Sequence, residues 1–263
     1  MCLLLIAIDS TPDLPLLLLG NRDEYHGRPS APAAPWREDA RVVGGRDLTA
    51  GGTWLGLRQD GRFAAVTNLR TGVPATAPKS RGWLVRDFLL GDSTPIAWLD
   101  LVRSQAADYG PFNLVVGDRH AVFALGSSEG MVRALAAGVH VVSNGAIGVA
   151  WPKTARLQRA FRDALRSGAE RDEASLLDLL RDETSPRDEE LPDTGIGLEL
   201  ERRLAPVFIR GDKYGTRAGS LVLRHSDGSL VLRERRFGPA ASFDGEDRWQ
   251  ALPGGAFEIS AAF

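Results

Sequence analysis

The first twenty residues constrain this chain more than any other stretch. Leu3-Leu4-Leu5-Ile6-Ala7-Ile8 is an unbroken apolar run, and a second, Leu16 to Leu19, follows the turn residues Ser10-Thr11-Pro12-Asp13. Short apolar runs bounded by turn signals read as two fully buried strands, over residues 2–8 and 15–20. The first run is too short to cross a membrane, lacks a basic lead-in and meets Asp9 at once. Neither a membrane span nor a signal peptide is therefore expected, and the cytoplasm is the default compartment. A chain of 263 residues can bury such strands in a large core, since a domain of this size removes about 75% of its unfolded surface from water. With no internal repeat and no long linker, residues 1–263 are expected to form one domain.

The same stretch carries the only cysteine of the protein, Cys2, on the lip of the first strand. Removal of Met1, usual before a small residue, would put a thiol and a free α-amine on one carbon. The amine, with a free pKa of about 7.7–8.0, can take the proton of a thiol whose free pKa is about 8.5, with no histidine involved. One cysteine excludes an internal disulfide framework and a cysteine-based zinc site. His26, His120, His140 and His225 lie far apart, so no metal site is expected. A net charge of −2 gives no electrostatic case for a nucleic acid or an anionic membrane as partner.

Further along, Gly51-Gly52-Thr53-Trp54-Leu55-Gly56-Leu57 and Phe63 to Asn68 flank the turn Gln59-Asp60-Gly61-Arg62, a hairpin that delivers Asn68 at a strand end. Arg28 to Pro35, rich in Pro and Ala, reads as an ordered loop over a site. Ser80-Arg81-Gly82 opens a helix, and residues 94–107 form a second. Asn113–Val116 and Ala121–Leu125 make a hairpin, and Val139–Val142 is a strand ending in Ser143-Asn144-Gly145. Leu157, Ala160, Phe161, Ala164 and Leu165 define an amphipathic helix from Lys153 to Leu165, with a shorter one from Ala174 to Leu180. The acidic residues 182–195 read as a surface loop. Ser220–Leu223 and Leu230–Arg236 form the last hairpin predicted.

If the strands at 2–8, 15–20, 63–68 and 139–144 are neighbours, their ends collect Cys2, Arg22, Asp23, Asn68 and Asn144. Each suits attack on a carbonyl: Cys2 as nucleophile, Asn68 and Asn144 as donors to the oxyanion, and Asp23 as anchor of the α-ammonium. Arg22 suits pairing with Asp23 or steadying the thiolate. Asn21, Glu24 and Trp54 flank these positions as candidate substrate-binding residues. Read alone, Glu24 is an ion-pair partner and Trp54 a core residue after a glycine turn.

The combination of Met1-Cys2, Asn21-Arg22-Asp23-Glu24, Gly51-Gly52-Thr53-Trp54-Leu55-Gly56, Ser143-Asn144-Gly145 and Tyr214-Gly215-Thr216-Arg217 resembles the NRDE family of transport and Golgi organisation protein 2 homologues, over Met1 to about Arg236. That family is similar to the N-terminal nucleophile hydrolases that include bile-salt and penicillin-V amidases. The resemblance implies an α+β fold, a four-layer αββα sandwich of two antiparallel sheets. It also implies a catalytic set of Cys2, Arg22, Asp23, Asn68, Asn144 and Arg217, acting on a linear amide or related acyl bond of a small molecule without a cofactor. Members of the family are linked variously to haem trafficking, acyl-CoA or lipid handling, and secretion. This leaves an alternative: a non-catalytic protein that carries haem, an acyl-CoA or a lipid-like ligand on the same scaffold.

Overall fold

The computed structural model describes residues 2–72 and 77–260. Met1, whose removal the reading of Cys2 requires, lies outside the described residues. The two leading apolar runs form a hairpin of β1 (Cys2–Thr11) and β2 (Leu14–Tyr25). Both strands are apolar on successive residues because both of their faces are covered. Leu4, Ile6, Leu16 and Leu18 point to a core between two sheets, while Leu3, Leu5, Leu17 and Leu19 point to a core beneath helices.

The edge strand β3 (Ser30–Pro35) and β4 (Val42–Asp47) open the second sheet. The stretch expected as a loop from Arg28 is thus largely a strand; an edge position suits its prolines, which have no N–H to donate. β5 (Leu55–Arg58) and β6 (Phe63–Asn68) form the predicted hairpin. Next come α1 (Arg81–Leu90), capped by the Ser80 side chain, and α2 (Pro95–Ser104), capped by Thr94. β7 (Phe112–Gly117), β8 (Val122–Gly126) and β9 (Met131–Leu135) complete this sheet in the order β3-β4-β5-β6-β7-β8-β9.

β10 (Gly138–Val142) returns to the first sheet and pairs with β1. α3 (Pro152–Ser167) ends at Gly168 in the left-handed region, and α4 (Glu173–Asp178) and α5 (Leu198–Arg203) follow. β11 (Tyr214–Arg224), β12 (Leu230–Phe237), β13 (Phe243–Ala251) and β14 (Glu258–Ser260) extend the first sheet to β10-β1-β2-β11-β12-β13-β14.

Three apolar clusters mark three interfaces, and so four layers. One fills the space between the sheets. A second joins Leu157 and Phe161 of α3 and Leu176 and Leu177 of α4 to the first sheet. The third joins Leu84, Val85, Phe88 and Leu89 of α1 and Leu99 and Val102 of α2 to the second sheet. This is the expected αββα sandwich. β9, β13 and β14 had no clear signature: β9 carries an exposed Met131 and β13 interleaves charges, Phe243-Asp244-Gly245-Glu246-Asp247-Arg248. Among the described residues no helix is long and apolar enough to cross a membrane.

Candidate active site

A cavity of about 790 Å³ opens between the two sheets at the end where β1 begins and β6 ends. Cys2 lines it and is 6% exposed. It shares the inward face of β1 with Leu4 and Ile6 and lies opposite Arg22 on β2. The next pairings carry the row across the sheet, Arg22 to Ala218 on β11 and Ala218 to Arg236 on β12. Arg22, Asp23, Glu24, Trp54, Asn68 and Arg217 also line the cavity.

The strand neighbourhood expected from sequence is partly corrected. β1, β2 and β10 do lie side by side, but β6 belongs to the other sheet. Asn68 therefore reaches the cavity from across the sandwich. Side chains stitch the two sheets together at this end. The Thr67 hydroxyl donates to the Ser143 carbonyl at 2.6 Å, and the Asn113 amide donates to the Ser143 carbonyl at 3.1 Å and that of Gly145 at 2.8 Å. The Arg70 N–H donates to the Asn144 carbonyl at 2.8 Å. Such buried polar atoms must find partners, so these bonds fix the approach of β6 to the segment after β10.

Asn144 is fully buried and does not line the cavity. Its Nδ2 donates to the Asn68 carbonyl at 3.0 Å, while its Oδ1 accepts from Lys153 Nζ at 3.1 Å and from Ser143 Oγ at 3.3 Å. A lysine only donates, so it dictates which end of the amide faces it and which faces Asn68. Lys153 is 2% exposed, and burial pushes its ammonium down to about 8, against the pull of Asp23. From the sequence, Lys153 is only the first residue of an amphipathic helix. The one available signal was its rarity: it is one of only three lysines among 32 basic residues. Asn113 is the other residue missed, since nothing local distinguishes it from a polar residue in a hairpin.

Asp23 is 1% exposed and Oδ1 accepts from the Thr216 hydroxyl at 2.7 Å. Burial raises its carboxyl, and Lys153 and the Thr216 bond oppose the rise. Arg22 takes Glu24, at 3.8 Å, as its carboxylate partner instead of Asp23. Burial likewise pushes the Cys2 thiol up, with Asp23 and Glu24 adding to the rise and Arg22 opposing it. Glu24 also lies 3.9 Å from Arg28. Arg217 is the extra residue where the β2–β11 register shifts between Thr216 and Ala218. A bulge of this kind turns a side chain out of the regular alternation, and the Arg217 guanidinium donates to the carbonyls of Tyr25 and Arg28.

Asn21 is turned away from this site. It shares the face of Leu19 and Leu17, and its amide donates to the carbonyls of Leu180 at 2.9 Å and Val207 at 2.8 Å. It does not line the cavity. Trp54 lies over Gly20, where a Cβ would stand 3.1 Å from the ring and 2.6 Å from the Leu3 carbonyl. Gly52 has a comparable role: a Cβ there would stand 2.4 Å from the carbonyl carbon of Gly82. The Gly-Gly-Thr-Trp turn thus seats the first turn of α1, including Arg81, on the cavity rim.

Taken together, a thiol, guanidinium groups, a buried carboxylate and an amide face one cavity. Comparison with solved structures finds the same architecture in two variants of the conjugated bile acid hydrolase of Clostridium perfringens. They superpose with TM-scores of 0.52 and 0.51 at 10% and 9% identity, over 100% of this chain and 97% of theirs. At that identity the likeness concerns the fold. Similarity in sequence is to the transport and Golgi organization protein 2 homologues of Bos taurus and Homo sapiens. Both are 31% identical over 89% of this chain and 92% of their own length. Residues 1–239 match the family described as Transport and Golgi organisation 2, and the chain belongs to that family.

Proposed function

We propose that the protein is an N-terminal nucleophile hydrolase that cleaves a non-peptide amide or related acyl bond of a small molecule, with Cys2 as nucleophile after removal of Met1. The observation that carries this reading is the position of Cys2 on the cavity wall, opposite Arg22 and beside the buried Asp23. In this reading the α-amine takes the thiol proton and the sulfur bonds to the substrate carbonyl carbon. The Asn68 side chain, which lines the cavity, donates to the oxyanion; Asn144 and Lys153 hold the Asn68 main chain in place. The C–N bond then breaks, the leaving amine takes the proton from the α-ammonium, and a thioester remains. Water gives a proton to the same amine and attacks the thioester; the C–S bond breaks and the acid departs. Asp23 balances the charge on the amine, and Arg22 that on the sulfur. That the solved structures of like fold are those of a hydrolase supports the assignment.

The test is intact mass before and after iodoacetamide at about neutral pH, with Cys2→Ala as control. Loss of Met1 and alkylation of the single thiol faster than free cysteine are expected, with no labelling or turnover in the variant. Retention of Met1 sinks the mechanism, because the amine is then absent from Cys2. Saturable binding of haem or an acyl-CoA that survives Cys2→Ala, with an unreactive thiol, would establish the carrier role instead.

A further inference from the structure

The charged residues around the cavity do not cancel one another evenly. Asp47 is paired with Arg28 at 2.7 Å, Glu24 lies between Arg22 and Arg28, and Asp23 accepts from Thr216. Glu234 accepts from the Ala33 N–H at 2.9 Å and stands 3.7 Å from Arg236, and Asp244 is exposed. Among the cations, Arg46 pairs with Glu38, Lys79 with Asp108 and Arg236 with Asp247. Arg81 and Arg217 remain. Neither has an ion pair among the described residues, and both spend N–H groups only on main-chain carbonyls, Arg81 on that of Pro111 at 3.1 Å.

Burial holds both guanidiniums below their ordinary range; at Arg81 the Cys2 thiolate and Glu24 oppose this, with a smaller repulsion from Arg28, and at Arg217 repulsion by Arg22 adds to it. Glu24 and Asp244 each attract Arg217 more weakly than Arg22 repels it. A partly desolvated cation without a counterion is costly, and an incoming anion removes that cost. Arg81 is also near enough to Cys2 to attract its thiolate. We propose that Arg81 and Arg217 hold an anionic group of the substrate, so that the compound acylating Cys2 is a small amide or acyl compound bearing a carboxylate or phosphate. The planar forks of two arginines suit such groups, and the cavity volume is in the range of small-molecule sites. This inference narrows the reading given under Proposed function and rests on it.

Two alkylating reagents of nearly equal size but different charge provide the test. The ratio of iodoacetate to iodoacetamide rate constants at Cys2 should exceed that of N-acetylcysteine by about tenfold. Because both reagents sense the same thiolate, the ratio isolates attraction of the anion. Arg81→Ala should remove most of the excess, Arg81→Lys should retain more of it, and high salt should lower it. A ratio equal to that of the free thiol and unmoved by Arg81→Ala overturns the proposal. Should neither reagent label Cys2, the nucleophile reading fails, and the anion site is read by melting instead. Inorganic phosphate or acetate, against chloride at equal ionic strength, should then raise the Tm of the unmutated protein more than that of Arg81→Ala. The more effective anion identifies the group held; equal shifts in both proteins overturn the proposal.

Discussion

Two halves of one strand follow different physical rules. In β2, Leu16 to Leu19 alternate between the inter-sheet core and the core beneath α3 and α4. A few residues on, Asn21, Arg22, Asp23 and Glu24 have the same backbone geometry, yet two of them are fully buried and polar. The leucines accept any apolar neighbour of fitting volume. Asn21 needs the carbonyls of Leu180 and Val207, and Asp23 needs the Thr216 hydroxyl, all more than 150 residues away. Apolar burial is non-directional, whereas a buried polar atom left unpaired bears its whole desolvation cost. The leucine half therefore builds the scaffold, and the polar half builds a site whose geometry depends on distant segments.

Breaking the apolar side should cost stability and spare chemistry. Phe63, fully buried between the sheets and five residues from Asn68, should cost about 3–5 kcal/mol on Phe63→Ala. Denaturant unfolding measures the loss, and the folded variant should alkylate Cys2 at the unmutated rate. A fall in that rate to match would show that core and site are one unit.

Breaking the polar side should show coupling instead of simple loss. Among the described residues, Asn144→Ala leaves Lys153 Nζ with only the Leu204 carbonyl, at 3.4 Å, as acceptor. We expect a cost of about 3 kcal/mol, since a buried charged donor loses its acceptor. Lys153→Met in the same chain should recover part of it, with a coupling of about 0.5–3 kcal/mol in a double-mutant cycle. Additive losses would mean that the two side chains do not depend on one another.

The pH dependence of Lys153 has a definite sign. Its pKa falls from 10.5 when unfolded to about 8 when folded. The unfolded state then binds more protons between those values, so stability rises with pH across that window and is penalised below it. Relative to Lys153→Met, the unmutated protein should gain about 3 kcal/mol between pH 8 and 10.5. Chemical denaturation at both ends of the window measures this; a flat difference would place the ammonium in contact with water. The smallest effect belongs to the solvent-facing pair of Arg166 and Asp163 on α3. Asp163→Ala should change stability by no more than about 0.5 kcal/mol and leave Cys2 untouched.

How much of this was legible in advance differs between the same two halves. The buried hairpin of β1 and β2, the β5–β6 hairpin, the capped α1 and the amphipathic α3 follow local patterns of period two or 3.6 and of turn chemistry, which a single chain displays. The expected grouping of Cys2, Arg22, Asp23, Asn68 and Asn144 rests on neighbouring strand ends; the first four do line one cavity, but Asn68 reaches it from the other sheet and Asn144 lies behind it. β9 escaped as an edge strand with an exposed Met131, and β13, though paired on both sides, escaped because its charged residues are half-exposed and break the apolar alternation. The partners within the site escaped as well: Arg22 with Glu24 in place of Asp23, Asn21 facing the helices, and Lys153 behind Asn144.

The sequence by itself determined that the first two strands are buried on both faces, that an amphipathic helix follows them, and that the single thiol stands at a strand end; the two-sheet sandwich came from the family resemblance. Only the tertiary structure decided that Asn68 approaches from the opposite sheet, that a bulge frees Arg217 to face the cavity, and that a lysine lies beneath the site. The physical reason is range. Periodicity and turn preference are properties of neighbouring residues, whereas the partner of a buried polar group is whichever distant segment packing brings within hydrogen-bond reach.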